Sequence, residues 1–287
     1  MADLPHDPLW PRAGGWPALV PGQRADIAIV GIPTHTRSLS PTQAHLTPAA
    51  VREALRRYSL EVPEGLRIVD AGDAPDPDAV DATAFVAAID AGLVIAIGGD
   101  NSATVPVARG RGAAGLVTVD AHHDLRDGVS NGSPVRQLIE AGLRGEDIVQ
   151  VGIEPLANSR AYTQRAADLG LTVITRDEVA RRGMPEVMAR ALERAARGAN
   201  TVHVDLDVDA CDRTVAPACP ASVPGGLSAL ELRLAAREAG GHPDVVSIDL
   251  TEVDAAADTS DQRTVRLTAL CVVEAVRARI AMIEDRA

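Results

Sequence analysis

The chain has 287 residues, of which 46% are hydrophobic and 24% charged, and this is enough apolar sequence for one large domain with a buried core. Aromatic residues make up only 2%, so the core must be built from Ala, Val, Leu and Ile, which favours an α/β fold over an aromatic-centred β-sandwich. The net charge of −12 argues against nucleic acid and anionic membranes as partners.

Neither an export signal nor a membrane span is visible in the sequence. Residues 1–24 lack a basic start followed by an apolar run, and no later stretch is apolar for the width of a bilayer. The three cysteines, Cys211, Cys219 and Cys271, form no C-x-x-C pair, and an odd number of cysteines without an export signal favours reduced thiols in a cytosol. We therefore expect a cytoplasmic protein with a single domain over residues 1–287, of which 1–24 form an irregular N-terminal segment.

Short runs rich in Val, Ile and Leu alternate with Ala-rich amphipathic segments, a pattern typical of βα units around a parallel sheet. The pattern predicts eight strands, over residues 25–32, 66–71, 93–97, 115–120, 148–153, 171–175, 201–207 and 245–251. It predicts helices over residues 48–57, 78–91, 134–142, 157–169, 185–197, 228–239 and 263–283. Such units fit either a closed barrel or an open sheet, and both folds place chemistry at the carboxyl ends of the strands.

The unusual polar residues of the chain follow these predicted strands. One cluster is Asp120-Ala-His-His-Asp124, in which residues two apart face the same way, so that Asp120, His122 and Asp124 point into one cleft. Asp207 and Asp209 repeat the pattern after another strand. We expect these clusters to converge, together with Gly98-Gly-Asp-Asn101-Ser and Glu252, which follow two further strands.

Several carboxylates in one cleft repel each other unless divalent cations neutralise them, and carboxylate with imidazole suits Mn²⁺ or Zn²⁺. Two ions about 3.5–4 Å apart can share a water and lower its pKa, which points to hydrolysis. A lone Asp at a strand end is more often a helix cap or a turn residue, but two such clusters with a His between acids favour a metal site. His123 should point away from His122, which favours packing or support of a ligand over ligation.

These motifs resemble the metal motifs of the ureohydrolase family, which includes arginases and agmatinases. The likeness covers nearly the whole chain, and two segments are similar to formimidoylglutamases in particular: Ser130-Asn-Gly-Ser-Pro-Val-Arg136 and Ala157-Asn-Ser-Arg-Ala-Tyr162. The resemblance implies a three-layer α/β/α sandwich with an eight-stranded parallel sheet, which decides against the barrel. It also implies two Mn²⁺ ions, a homo-oligomer of three or six chains, and hydrolysis of N-formimidoyl-L-glutamate to L-glutamate and formamide.

Site residues are carried over from the family motif by motif. The expected metal ligands are Asn101, Asp120, His122, Asp124, Asp207 and Asp209. Asp205 lies one alternation too early and is expected to be structural or to support a ligand. Asn101 stands where most relatives have His, and an amide oxygen is a weaker ligand than imidazole, so one metal position is expected to be weakened.

Catalysis is assigned to Asp124 and Glu252. Asp124 would pass a proton to the departing amine, and Glu252 would pair with the planar amidinium of the substrate, although a solvated acid is the plain alternative for this position. The substrate's carboxylates need donors around the acidic cleft, and the candidates are Arg126, Asn131, Ser133 and Arg136. For each arginine, a surface charge without a role is the alternative.

Two other functions stay open on the sequence. Glu154 stands where relatives usually show Arg, and as a cation contact it would favour agmatine or a guanidino acid as substrate, with release of urea. Asn101 alternatively indicates a metal-poor homologue that binds a ligand without turnover. The substrate is a small amidine or guanidine in the enzymatic readings, and no nucleotide motif such as G-x-G-x-x-G is present.

Overall fold

The computed structural model describes residues 7–198 and 200–286, and its eight strands form one parallel sheet. The strands are β1 Ala25–Ile32, β2 Ile68–Asp73, β3 Ala91–Gly98, β4 Gly115–Val119, β5 Ile148–Ile153, β6 Thr172–Thr175, β7 Val202–Asp207 and β8 Val245–Thr251. Their order across the sheet is β2-β1-β3-β8-β7-β4-β5-β6, which is an open sheet with two edges. The predicted open sandwich is confirmed.

Helices cover both faces of the sheet. Within the described residues they are α1 Thr47–Leu55, α2 Thr83–Ala87, α3 Thr104–Gly110, α4 Pro134–Glu140, α5 Arg160–Asp168, α6 Arg176–Arg182, α7 Met184–Ala196, α8 Ala229–Gly241 and α9 Arg263–Glu284. One layer, α1 with α6 to α9, shares a large aliphatic core with the sheet. The layer of α2 to α5 closes two smaller cores on the opposite face. Because both faces are covered, the strands are nearly continuous apolar runs.

The strand predictions agree with the structure within a few residues, whereas one helix was predicted wrongly. The predicted helix over 78–91 is reduced to α2, because the Asp78 carboxylate accepts hydrogen bonds from the backbone N–H groups of His35 and Thr36, and Ala91 already belongs to β3. Two helices were not predicted at all. Both α3 and α6 have seven residues, too few to show a full amphipathic repeat.

The sheet order places β3, β8, β7 and β4 side by side at its centre. These are the strands that the polar motifs follow, so the motifs meet at one edge of the sheet. The side chains of His203, Asp205 and Asp207 alternate with apolar neighbours along β7, and Asp205 pairs with Asp249 of β8 in the register. This polar row faces the layer of α2 to α5.

The N-terminal segment was expected to be irregular. Residues 7–24 contain turns and isolated bridges at Arg12 and Ala18, and residues 1–6 of the predicted segment lie outside the described residues. None of the helices in the described ranges combines the length and the apolar character that crossing a bilayer requires.

Candidate active site

The predicted acids and His122 meet in two groups at the carboxyl edge of the sheet. Asp120, His122 and Asp209 form the first group, and Asp120, Asp124 and Asp207 form the second, with the ligand atoms of each group within 4.8 Å of one another. Asp120 belongs to both groups. The arrangement therefore offers two neighbouring cation positions that share one carboxylate.

The strand ends hold these acids through short backbone loops. Asp120 Oδ1 accepts the N–H of His122 at 2.6 Å, and Asp207 Oδ1 accepts the N–H of Asp209 at 2.8 Å. Asp120 and Asp207 therefore do act as turn residues, but each uses only one oxygen of its carboxylate for the turn. Asp124 and Glu252 both have positive φ, 53° and 63°, a backbone conformation that is costly for residues other than glycine. Such strain concentrates at functional sites.

The donor set fits divalent cations. Asp120 Oδ2 and Asp209 Oδ1 are buried and have no hydrogen-bond partner in the described part of the chain. A buried carboxylate oxygen without a partner is costly, and hard cations such as Mn²⁺ are bound through carboxylate oxygens and imidazole. His122 Nδ1 lies 3.1 Å from Asp209 Oδ2 and 3.4 Å from Asp120 Oδ1, so a positive charge is already favoured between them.

Crowding of buried acids shifts their pKa values. Burial, and then the charge of Asp209, raises the pKa of Asp120 to about 6, and burial raises the pKa values of Asp124 and Asp207 well above their ordinary value. The charge of Asp209 raises the pKa of His122 to about 12. Although burial works in the opposite direction, His122 lowers the pKa of Asp209. The site therefore attracts protons when no metal is bound, and divalent cations compete for the same oxygens.

Asn101, predicted as a metal ligand, takes part in a hydrogen-bond network with its neighbours. Its Nδ2 donates to Asp124 Oδ2 at 2.7 Å, and its Oδ1 accepts from the hydroxyls of Thr104 and Thr251 at 2.6 and 3.2 Å. A carboxylate only accepts, so the NH₂ group must face Asp124. Asn101 therefore donates to Asp124, one of the predicted ligands, and its own role as a metal ligand stays a prediction.

Glu252 lies beside this group and is buried. Its Oε1 accepts the backbone N–H of Asn101 at 2.6 Å and the side-chain Nδ2 of Asn131 at 2.8 Å. Burial, and then the charge of Asp209, raises the pKa of Glu252 to about 8. A cationic partner beside Glu252 would favour its charged form, because an opposite charge offsets the cost of burying the carboxylate.

A cavity of about 370 Å³ opens above the acids. Its described lining includes Asp124, Asp207, Asp209 and Glu252 below and loop residues above. The loop residues are Leu39, Ser40, Arg126, Asn131, Gly132, Ala157, Asn158, Ser159, Tyr162 and Ala221. A larger groove of about 620 Å³ lies between α7, α8 and α9, but both ligand groups belong to the smaller cavity, which is therefore the candidate site.

Arg126 is the one arginine among the described lining residues, and it is exposed. Arg136, also predicted as a substrate contact, is directed elsewhere: its guanidinium donates to the backbone oxygens of Arg126 and Gly128 and pairs with Glu140. Ser133 is buried and donates to the backbone oxygen of Ser130 at 2.9 Å. Arg136 and Ser133 thus shape the loop, and Arg126 is left to face the cavity.

Glu154 lies outside the cavity lining. Its Oε1 accepts the backbone N–H of Leu156 at 3.0 Å and so closes a turn after β5. The carboxylate is engaged in local structure, which removes the reason for reading it as a contact to a cationic substrate.

His123 lines the cavity, which the predicted packing role did not anticipate. Gln150 Nε2 donates to the His123 backbone oxygen at 2.9 Å, so Gln150 Oε1 faces His123 Nδ1, 2.7 Å away, and must accept its proton. Burial lowers the pKa of His123, which favours the neutral ring. His123 is thus held with its proton on Nδ1. No pattern in the sequence pointed to Gln150.

Asn158 also supports the site, although its motif in the sequence predicts no role for this residue. Its Oδ1 accepts the N–H of His123 at 3.0 Å, and its Nδ2 donates to the backbone oxygen of Ala121 at 2.8 Å. The amide therefore grips the backbone on both sides of His122. The Asn-Ser pair before α5 was the available signal.

Asp205 lies below the ligands, as predicted from its place in the alternation. It belongs to neither ligand group and is fully buried, with its Oδ1 3.4 Å from the Thr251 hydroxyl. Burial, and then the charge of Asp249, raises its pKa well above the ordinary value. Asp205 is therefore a buried neighbour of the ligands that binds a proton more readily than an ordinary carboxyl group.

Comparison with known proteins gives a consistent result. Residues 25–277 match the model of the arginase family. A formimidoylglutamase of Halalkalibacterium halodurans is 32% identical over 83% of this chain and 82% of its own length. The crystal structure of formimidoylglutamase from Bacillus subtilis superposes with a TM-score of 0.86 at 26% identity, covering 96% of this chain and 94% of that chain. A structure of Trypanosoma cruzi formiminoglutamase with Mn²⁺ superposes with a TM-score of 0.79 at 26% identity, covering 89% and 94%.

Proposed function

This chain belongs to the arginase family, and we propose that it is a manganese-dependent hydrolase that converts N-formimidoyl-L-glutamate to L-glutamate and formamide. Hydrolysis of a C–N bond in a linear amidine is the activity class that the relatives support.

Two Mn²⁺ ions fit the two ligand groups. Asp120, His122 and Asp209 would hold one ion, and Asp120, Asp124 and Asp207 would hold the other. When bound, two such ions supply a water of lowered pKa and neutralise the acids around it. The solved relative with Mn²⁺ supports this metal.

The chain's own residues then bind and orient the amidine. Glu252 is a buried carboxylate whose Oε1 is held by two N–H donors, and it is placed to pair with the planar N–H fork of an amidinium. Asp124 lies next to it in the cavity wall and would carry a proton to the departing amine nitrogen. The hydrolysis splits the bond between the formimidoyl carbon and this nitrogen, leaving the amine on glutamate and formamide as the second product.

The position of Arg126 carries the choice of substrate. The acids of the cavity select a planar cation, and Arg126, which lines the same cavity, selects an anion. N-Formimidoyl-L-glutamate has an amidinium at one end and carboxylates at the other, which matches this distribution. Agmatine ends in an ammonium group that Arg126 would repel, and Glu154, the residue that favoured it, lies outside the cavity.

A substrate screen tests the proposal. Protein loaded with Mn²⁺ is incubated with N-formimidoyl-L-glutamate, agmatine, L-arginine and 4-guanidinobutyrate, and formamide, glutamate and urea are quantified. We expect equal amounts of formamide and glutamate from the first compound and little urea from the others. Urea release without formamide would assign a guanidine hydrolase instead, and two bound Mn²⁺ without turnover of any compound would assign a binding protein.

Two expectations from the sequence stay predictions, namely a cytoplasmic location and an assembly of three or six chains. Sedimentation equilibrium of the Mn²⁺-loaded protein would test the assembly. A mass of one chain would contradict it.

A further inference from the structure

The side chain of Asn131 is used at both ends. Its Nδ2 donates to Glu252 Oε1 at 2.8 Å, and its Oδ1 accepts the backbone N–H of Leu39 at 2.9 Å. A carboxylate cannot donate and a backbone N–H cannot accept, so the amide has one orientation only. Asn131 therefore joins Glu252 to the segment around Leu39, which lies about ninety residues before Asn131 in the chain.

That segment, residues 33–43, is here named the 33–43 loop. Leu39 and Ser40 of the loop line the cavity. The backbone N–H of Asn131 donates to Arg37 O at 3.0 Å, which adds a second bond between Asn131 and the loop. Leu39 itself is 58% exposed, so the loop is held in place by these polar bonds and not by burial of its leucine.

Both ends of the 33–43 loop are held by carboxylates. Asp78 accepts the backbone N–H of Thr36 at 3.3 Å, and Asp254 accepts the backbone N–H of Gln43 at 2.9 Å. Asn131 is the contact between these two anchors that reaches a proposed catalytic residue. The centre of the loop and the Glu252 carboxylate are thus both hydrogen-bonded to the side-chain amide of Asn131.

The second oxygen of Glu252 shows what this arrangement achieves. Oε1 accepts from both Asn131 Nδ2 and the backbone of Asn101, while Oε2 makes no hydrogen bond within the described part of the chain. The carboxylate is thereby fixed with Oε2 free for the substrate.

We propose that Asn131 is a positioning residue that ties the 33–43 loop to Glu252, so that the loop over the cavity and the substrate-facing oxygen of Glu252 are set together. This inference rests on the proposed role of Glu252 in binding the amidinium. A substrate that contacts Leu39 or Ser40 while its carboxylate end meets Arg126 would then stabilise the loop and, through Asn131, align its own reacting end. Recognition of the anionic end and orientation of the cationic end become one event.

Two substitutions separate the two halves of the bridge. Asn131→Asp keeps an oxygen that accepts the Leu39 N–H but loses the donor to Glu252, whereas Asn131→Ala loses both. Asn200→Asp and Asn200→Ala are matched controls, because Asn200 is exposed and precedes β7 at the opposite edge of the sheet. Bound Mn²⁺ and the melting temperature are measured for all variants to confirm that the fold and the metal site are kept.

Kinetics and hydrogen exchange give the readouts. We expect kcat for N-formimidoyl-L-glutamate to fall about 10- to 100-fold in both Asn131 variants, since a hydrogen bond to a charged group is lost. Amide exchange of Leu39, followed by mass spectrometry of peptides covering residues 37–40, should accelerate at least about tenfold in Asn131→Ala and stay near wild type in Asn131→Asp. The Asn200 variants should match wild type in both measurements.

The outcomes separate this inference from the proposed function. Wild-type exchange at Leu39 in Asn131→Ala, or wild-type kcat in Asn131→Asp, would overturn the bridge. If the wild-type protein releases no formamide, the proposed substrate is wrong. The exchange experiment needs no substrate and still decides the loop half of the bridge, and the kinetic half is then measured with the compound that is turned over in the screen.

Discussion

The acids on the floor of the cavity come from strand ends, whereas the residues on its rim come from loops far apart in the chain. The floor is Asp124, Asp207, Asp209 and Glu252, which line the cavity, together with Asp120, which belongs to both ligand groups beside them. The rim is Leu39, Arg126, Asn131 and Asn158. The central strands hold the floor residues rigidly, and these residues act on the amidine group of any substrate. The rim residues contact the rest of the substrate. Substitutions in the two regions should therefore fail in different ways.

The largest effect is expected at Asp120, the carboxylate that both ligand groups share. Asp120→Asn should lower kcat on the order of 10³-fold and reduce bound Mn²⁺, because both cation positions lose a charged ligand. Asp205→Asn is the matched control, since Asp205 is equally buried but belongs to neither group. We expect it to keep its metal and to lose at most about tenfold in kcat. Equal metal loss in both variants would show that the groups are misassigned.

A substitution of Glu252 distinguishes substrate binding from metal binding among the floor residues. Glu252→Gln should lower kcat/KM by about 10²-fold, because the amidinium loses its charged partner, while bound Mn²⁺ stays at the wild-type level. Metal analysis and steady-state kinetics on the same preparation measure both quantities. Loss of Mn²⁺ would instead place Glu252 among the ligands.

On the rim, Arg126→Ala should change substrate preference more than turnover. KM for N-formimidoyl-L-glutamate should rise about 10- to 100-fold with kcat within a few-fold of wild type, because only the anionic end loses its partner. Arg24→Ala is a suitable control, since Arg24 is exposed before β1 and pairs with Asp90 at the opposite edge. An unchanged KM would show that Arg126 does not bind the anionic end of the substrate. The charges of the cavity would then no longer favour this substrate.

The smallest expected effect is on the thermal stability of the metal-free protein, through the acids of the floor. The folded-state pKa values of Asp120, about 6, and Glu252, about 8, lie above those of the unfolded chain, so the folded protein binds more protons and loses stability as pH rises from about 4 to 8. His122, with its pKa raised to about 12, acts in the same direction above pH 6.5. Melting of EDTA-treated protein should fall on the order of 5 °C between pH 5 and 8 beyond any loss in the Mn²⁺ form. A metal-free melting temperature that rises over this range would contradict the shifts.

Local patterns explain why the floor could be predicted. Residues two apart at a strand end share a face, and this rule placed Asp120, His122 and Asp124 together. The same rule would group Asp205 with Asp207 and Asp209, and only the likeness to the family motif set Asp205 apart. The same continuous apolar runs predicted the strands. The helix over 78–91 was predicted wrongly because the carboxylate of Asp78 binds a loop that is distant in sequence.

The rim shows what local patterns miss. Arg126 and Arg136 follow the same metal motif and look alike in the sequence, yet Arg136 is bonded to loop carbonyls and only Arg126 lines the cavity. Asn101 is predicted from its motif position as a ligand, and its motif did not indicate that the hydroxyls of Thr104 and Thr251 donate to its oxygen. Hydrogen-bond partners of this kind come from other strands and helices.

The alternation of the sequence by itself determined eight βα units, the acids at the strand ends and their suitability for divalent cations, because these follow from short-range periodicity and from the chemistry of the side chains. The choice of an open sheet over a barrel came from the resemblance of the motifs to a family. The tertiary structure alone decided that β3, β8, β7 and β4 are neighbours and that the 33–43 loop reaches Asn131. Strand order and loop contacts are long-range, and no local period encodes them. The reaction of this hydrolase can therefore be read from its strand ends, while the arrangement of its rim depends on which loops meet in the folded chain.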